Sequence, residues 1–346
     1  MNRFVKSFHQ PVKFEPLKRT AGRAVALVAF VAAASLPLVF PANASAQAWP
    51  SKPVRIVVPF APGGTTDVVA RIVGQKLGEL WGQAVLIETR TGAGGNIGAE
   101  AVAKSTPDGY TLLMASGAFT ITPALYKGKL PFDAQKDFIP VTNVAAGPML
   151  VVTHPGVPAK DINELIALAK AKPGTINFGS AGVGSQVHMA GENFAAAAGI
   201  DIQHVPYKGE ALGYNDLVAG QIQMMVGNMA GAVGFVNAGK IKALAVTSKQ
   251  RSAMLPNVPT AAESGLPGFE NAGWFGFLVP AGTPKEIVDK VQRDTAKVLD
   301  SAEMRGRLFV QGLTPVGNTQ AEFGKAMAVE FERWKKVIAD RKLSAG

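Results

Sequence analysis

The stretch Ile56-Val57-Val58-Pro59-Phe60-Ala61-Pro62-Gly63-Gly64-Thr65-Thr66-Asp67 changes hydrophobic period part-way along its length. Its apolar, β-branched start reads as a strand. Val68, Val69, Ile72, Val73 and Leu77 then recur at helical spacing, an apolar face suited to lie on a sheet. Gly63 and Gly64 permit a sharp turn whose N–H groups no side chain covers, and Thr65, Thr66 and Asp67 are residue types that begin helices. A glycine loop feeding a helix N-terminus gathers unpaired donors at the positive end of a dipole, which suits an anion. The same pattern also serves as an ordinary strand-to-helix turn. A second such loop, Gly179-Ser180-Ala181-Gly182-Val183-Gly184-Ser185, opens another helix further along, and the repetition favours a binding role.

Around the first loop the chain alternates strand and helix. A strand at Ala84 to Glu88 leads through the glycine-rich residues 91–98 into a helix at Ala99 to Lys104. Pro107-Asp108-Gly109 turns into a strand, Tyr110 to Met114, that ends at Ala115-Ser116-Gly117. This order predicts a parallel sheet covered by helices. Phe138 to Val144 reads as an extended segment leading to a buried strand, Met149 to Val152, with a crossover between domains beside it.

Strand and helix then alternate again. Asp161 and Glu164 form a capping-box pattern for a helix that Pro173-Gly174 ends. A strand at Thr175 to Phe178 precedes the second glycine loop and a helix stopped by Gly199. Ile202 to Val205 is a strand leading to Pro206-Tyr207-Lys208-Gly209, and Leu212 to Ala219 is a helix. Ile222 to Val226 and Ile241 to Val246 are buried strands. The apolar strand Gly273 to Pro280 carries the chain back. Thr283-Pro284-Lys285-Glu286 reads as an N-cap, a first-turn Pro and a capping-box Glu. A last helix from about Thr319 to Lys342 presents Phe323, Met327, Phe331, Trp334 and Ile338 for packing on the first domain. The expectation is an α/β chain of two domains, each a mostly parallel sheet flanked by helices. Residues 47–147 and 278–346 make one domain and 148–277 the other, with two hinge crossovers.

Residues 1–46 stand outside that fold. Arg3, Lys6, Lys13, Lys18, Arg19 and Arg23 face a single acid, Glu15, and an uncharged apolar run ends at Ala42-Asn43-Ala44-Ser45-Ala46. Basic, apolar, then small-x-small is the order of a secretory signal, with cleavage expected after Ala46 and a periplasmic destination. Removing six basic residues and one acid from 35 and 25 leaves 29 against 24, so the net charge of +10 falls to about +5. No Lys/Arg run interleaved with aromatics remains, which argues against nucleic-acid binding. The absence of cysteine excludes disulfides, thiolate metal sites, cysteine nucleophiles and a lipid-anchored N-terminus.

Enzyme signatures are missing. His154, His188 and His204 show no metal-ligand spacing, and no Gly-x-Ser-x-Gly elbow surrounds Ser116, Ser180 or Ser185. The run at Gly92 has Ile97 where a dinucleotide fingerprint needs glycine, and there is no Gly-Lys-Ser/Thr phosphate loop. No cofactor, metal or catalytic residue is expected. What remains is a pair of glycine loops, one in each half. In open α/β sheets ligands bind beyond the carboxyl ends of strands, so two facing domains would place two helix N-termini across one cleft. Hinge closure would then grip a small carboxylate.

Taken together, several motifs resemble one family. Trp49-Pro50-x-Lys52-Pro53 with the Ile56–Asp67 stretch is similar to the mature start of Bug proteins, the TctC-type extracytoplasmic solute receptors of tripartite tricarboxylate transporters. Gly92-Ala93-Gly94-Gly95-Asn96-Ile97-Gly98, Ser105-x-Pro107-Asp108-Gly109-Tyr110-Thr111-Leu112, the second glycine loop and Pro206-Tyr207-Lys208-Gly209 continue the likeness. So do Asp216-Leu217-x-x-Gly220-Gln221-Ile222 and Leu255-Pro256-x-Val258-Pro259-Thr260. The resemblance implies a Venus-flytrap periplasmic binding protein, a monomer that hands a small organic acid or related solute to membrane components of a transporter. It puts Phe60, Ala61, Pro62, Gly63, Gly64, Thr65 and Asp67 on one wall of the cleft and Ser180, Ala181, Gly182 and Ser185 on the other. Ser116, Gly117 and Tyr207 are additional contacts. Asp67 either caps its helix or meets an amine on an amino-acid ligand, and capping is favoured because an acid in the first turn is stabilising. Signalling to a sensor kinase, or a secreted α/β hydrolase, are the alternative functions. The solute itself stays open among dicarboxylates, tricarboxylates, amino acids, aromatic acids and amides.

Overall fold

The computed structural model describes residues 49–345 and, ahead of them, Lys13 alone. The leader and its expected cleavage after Ala46 lie outside the described residues. The first half begins with β1 (Val54–Val58), α1 (Thr65–Trp81), β2 (Val85–Thr89), a 3-10 turn at Ala93–Gly95, α2 (Asn96–Ala103), β3 (Thr111–Ser116) and α3 (Ala118–Leu125). β1 pairs in parallel with both β2 and β3. Ile56 and Val58 on β1 meet Val69, Val73 and Leu77 of α1 in one core, all fully buried. The i, i+4, i+8 spacing of that face is what holds the helix on the sheet. Gly74 lets the two approach: a Cβ there would lie 3.1–3.3 Å from Val85, Ile87 and Ile56.

β4 (Phe138–Thr153) is one strand of 16 residues, not an extended segment followed by a separate strand. The second half follows as α4 (Ile162–Ala171), β5 (Asn177–Ser180), α5 (Gln186–Ala198), β6 (Gln203–Pro206), α6 (Glu210–Val218), β7 (Met224–Asn228), α7 (Met229–Asn237) and β8 (Lys242–Val246). β9 (Ala272–Pro280), α8 (Lys285–Asp300), α9 (Ala302–Phe309), β10 (Thr314–Pro315) and α10 (Gln320–Asp340) complete the chain. The strand order is β2-β1-β3-β9-β4-β7-β5-β6, with β8 and β10 also paired to β4.

β4 joins the halves. Its residues 138–148 run antiparallel to β9, and from Met149 onward the partners are β7 and β8. β9 pairs with β4 from end to end and with β3 over Phe275–Leu278. Each sheet therefore has a parallel core of three strands, β2-β1-β3 or β6-β5-β7, to which the long strands add antiparallel pairs. The sheets are mixed, whereas the alternation of elements predicted mostly parallel ones. βα alternation reports only the strands that helices connect, and it is silent on long strands reached through loops.

The caps follow the sequence in part. Asp161 accepts from the Glu164 N–H, and Thr319 with Glu322 forms a complete capping box for α10. At α8 the expected box is absent: Pro284 is the N-cap, and the Thr283 hydroxyl donates to the Pro280 carbonyl. The apolar face of α10 packs where expected, with Phe323 and Met327 in the core under β9. Its far end continues past the first half, because Trp334 and Ile338 cluster with Met189 of α5. α3 and α7, both short and nearly uniformly apolar, were not legible as helices. Among the described residues no helix is long and apolar enough to cross a membrane, and no group of side chains could hold a metal ion.

Candidate functional site

The predicted site residues gather just beyond the carboxyl ends of β1, β3, β5 and β6, as the rule for open α/β sheets requires. The loops of the two halves touch across a narrow seam. The Ala61 N–H donates to the Lys208 carbonyl at 3.0 Å, and the Gly117 N–H donates to Gln186 Oε1 at 2.9 Å. Gly94 lies so close to the second glycine loop that a Cβ on it would be 2.1 Å from the Val183 oxygen. Within the seam a small cavity of about 10 Å³ is lined by Phe60, Gly64, Thr65, Ser116, Ala181 and Ser185 of the predicted set. The hydroxyls of Thr65 and Ser116, on residues 0% and 2% exposed, have no hydrogen-bond partner. Such orphaned groups cost free energy unless something meets them.

The other predicted residues serve the loops themselves. Pro62 and Gly63 form the exposed tip, Gly63 at φ +84°. Asp67 is buried and its Oδ2 accepts from the Gly63 N–H and from Arg71 Nε, both at 2.9 Å, so it braces the turn into α1. Ser185 caps α5 by accepting from the His188 N–H. Ser180 turns away from the cavity: its hydroxyl bonds to His204 Nε2 at 2.6 Å and accepts from the Gly182 N–H. His204 stacks on His188 with ring centroids 4.0 Å apart. Burial first, then the neighbouring His188, holds the His204 imidazole down to about 3. Tyr207 also points elsewhere, donating its hydroxyl to Asp216 at 2.7 Å, and burial together with that carboxylate raises its phenol. Trp274, at the edge of a core cluster, donates from Nε1 to Glu330 of α10.

Four polar residues outside the predicted set also line the cavity: Thr66, Gln186, Glu210 and Asn228. Asn228 ends β7, so the end-of-strand rule would have found it. Gln186 and Glu210 each start a helix, directly after Ser185 and Gly209. Glu210 is buried, accepting from the Thr65 N–H at 2.6 Å and from Asn228 Nδ2 at 2.7 Å. Burial pushes its carboxyl upward, and those hydrogen bonds oppose the shift.

Residues 69–343 match the model of the tripartite tricarboxylate transporter family receptor. The chain belongs to that family. The receptor is 36% identical over 300 residues to Protein BugT of Bordetella pertussis, covering 86% of this chain and 92% of that one. It is similar in fold to R. palustris Rpa4515, solved with adipate (TM-score 0.83, 35% identity, 86% and 99% of the two chains). It is likewise similar to MatC (Rpa3494) from Rhodopseudomonas palustris, solved with bound malate (TM-score 0.80, 32% identity, 84% and 100%). The two-domain binding-protein architecture expected from the resemblance is that of these neighbours.

Proposed function

We propose that the receptor captures a small carboxylate-bearing solute in the seam between its two domains and delivers it to the membrane components of a tripartite tricarboxylate-type transporter. One observation carries this reading. The helices α1 and α5 bring their N-termini to opposite walls of a single cavity, beside two buried hydroxyls that lack partners. Helix N-termini and hydroxyls stabilise a carboxylate without a lysine or arginine. The relatives solved with adipate and malate support the solute class. In this reading the domain boundaries lie at residues 148/149 and 271/272, the second six residues ahead of the 277/278 expected from the sequence. That division is supported by β9 pairing with β4 from Ala272 onward and by β4 changing partners at Met149. Rotation about these two crossings opens the seam to admit the solute. The basic and apolar leader directs export to the periplasm, the receptor works as a monomer, and it carries out no catalysis.

Thermal unfolding of residues 47–346 tests the reading, against dicarboxylates, citrate, amino acids, aromatic acids and neutral amides. A solute at a hundred times its Kd adds about 2.7 kcal/mol of stability. The expected result is a rise in Tm with a carboxylate that Ser185→Leu abolishes. No shift with any compound, after refolding to strip carried-over solute, overturns it.

A further inference from the structure

The second glycine loop is tied at both ends to imidazoles that do not line the solute cavity. Ser185 caps α5 by accepting from the His188 N–H, and His188 Nδ1 accepts in return from the Gly184 N–H at 3.2 Å. This is the reciprocal geometry of a capping box, with histidine where Glu or Gln is usual. A glutamate in that place accepts at any pH near neutrality, whereas an imidazole nitrogen accepts only while it carries no proton. The bond therefore fixes the tautomer. The His188 proton is on Nε2, which lies 3.5 Å from Glu192 Oε1 one turn along the helix.

At the start of the loop Ser180 accepts from the Gly182 N–H, so its own proton is given to His204 Nε2 at 2.6 Å rather than to the Gly182 carbonyl at 3.3 Å. The two rings stack with centroids 4.0 Å apart, and Phe178 covers His204 at 4.9 Å. Face to face at that distance, the pair has room for one charge and not for two. Burial and His188 hold His204 down to about 3, so the first proton goes to His188, beside Glu192. The Glu192 carboxyl is itself held low, first by its bond to His188. Two further ionisable groups stand nearby. Arg341 of α10 acts on Glu192 and donates to Asn193, and Tyr126, whose phenol burial raises, ends α3 beside Gly184.

A proton on His188 Nδ1 sets two donors against each other across the 3.2 Å bond. The loop then loses its tie to α5 where Val183 meets Gly94 and where Ala181 and Ser185 line the cavity. We propose that His188 is a proton-sensitive latch: neutral, it locks the second glycine loop in the shape that grips the solute, and protonated, it frees the loop and releases the solute. The release rests on the carboxylate-solute reading above, and the latch does not. Because the gripping state needs the neutral ring, affinity is highest above the ordinary imidazole range and falls as pH drops through it.

NMR of the exported receptor without solute tests the latch. Between about pH 8 and pH 5 the His188 ring should pass from its Nε2–H form to the doubly protonated one, and the Gly184 amide resonance should move with the same midpoint. His188→Asn keeps an acceptor where Nδ1 stands and has nothing to titrate there, so its Gly184 amide should stay in place. L-malate affinity is then read by calorimetry over the same range in both proteins, which cancels the titration of malate itself. The two should agree within about threefold at the alkaline end, and the native receptor should weaken at least about tenfold more than the variant on acidification. A His188 ring still neutral at the acid end, a Gly184 amide that stays still while the ring charges, or one that titrates equally in His188→Asn overturns the latch. So does a native receptor whose malate affinity follows that of the variant. If malate binds neither protein, the amide titration still decides the latch, and the thermal panel judges the carboxylate reading separately.

Discussion

Gly94→Ala separates the stability of the receptor from the closure of its cleft. Gly94 has φ +65°, and a Cβ there would come within 2.1 Å of the Val183 oxygen and 3.2 Å of its carbonyl carbon. Both atoms are backbone, so no flexible side chain can yield. Relaxing the first contact to about 3.3 Å, an ordinary carbon–oxygen approach, widens the seam there by roughly 1 Å. The bonds from the Ala61 N–H to Lys208 at 3.0 Å and from the Thr65 N–H to Glu210 at 2.6 Å cross the same seam. Stretched by about 1 Å they leave useful hydrogen-bond range. Losing one neutral and one charged bond costs about 3 kcal/mol, all of it from the closed state. Solute affinity should therefore fall about a hundredfold.

Gly82→Ala supplies the control. Gly82 has nearly the same φ, +63°, with nothing within 4 Å of a Cβ. Both variants carry the left-handed strain of about 1–2 kcal/mol, so both should lose a similar few degrees of Tm by calorimetry. Only Gly94→Ala should lose affinity in a titration with the best carboxylate from the thermal panel. A Gly94→Ala receptor that binds within about threefold of the native one would show that the solute-bound state does not use this seam.

Acidification acts through His204. Its folded-state pKa of about 3 lies below the ordinary 6.5, so between these values the unfolded chain binds the extra proton and stability falls as pH drops. The limiting slope is about 1.4 kcal/mol per pH unit for one proton, and the partial exposure of the ring narrows the pH range over which it acts. Urea midpoints of native and His204→Gln receptors between about pH 6.5 and pH 4.5 should diverge, the variant showing the flatter profile, and parallel profiles would refute the assignment. Phe323→Ala should destabilise by about 3–5 kcal/mol in urea. Its buried ring fills the space that a Cβ on Gly276 would occupy, 2.5 Å away, and stands edge-on to Trp274. A loss under about 1 kcal/mol would mean that α10 does not seal that core as described.

Local physics made much of this fold readable in advance. A β-branched run, a Pro/Gly turn and apolar residues every three to four positions specify β1 and α1 whatever surrounds them, because period and backbone freedom act within a few residues. The same reasoning located both glycine loops, and the resemblance then implied Phe60, Gly64, Thr65, Ala181, Ser185 and the strand-end Ser116 as site residues, all of which line the cavity. The composition of the leader and the absence of cysteine needed no structure either. Other features depended on partners far away in sequence. β4 and β9 owe their length and antiparallel sense to each other, across more than a hundred residues of chain. α3 and α7 lack a polar face to betray a helical period, α3 because it is almost wholly buried and α7 because even its open side carries glycine, alanine and apolar residues.

The side chains at the cleft divide the same way. That Ser180 and Tyr207 follow strand ends is written in the sequence. Their turning to His204 and Asp216 depends on which groups the fold sets within hydrogen-bond reach. Glu210 is the clearest case. In the sequence it is an acid in the first turn of a helix, ordinary and stabilising there. Only the meeting of the two halves of the sequence brings it to the N-terminus of a different helix, 145 residues earlier in the chain. Spacing and propensity determine where a chain can bend and which face it buries, whereas the polar groups that meet at the cavity are set by residues that only the complete fold makes neighbours.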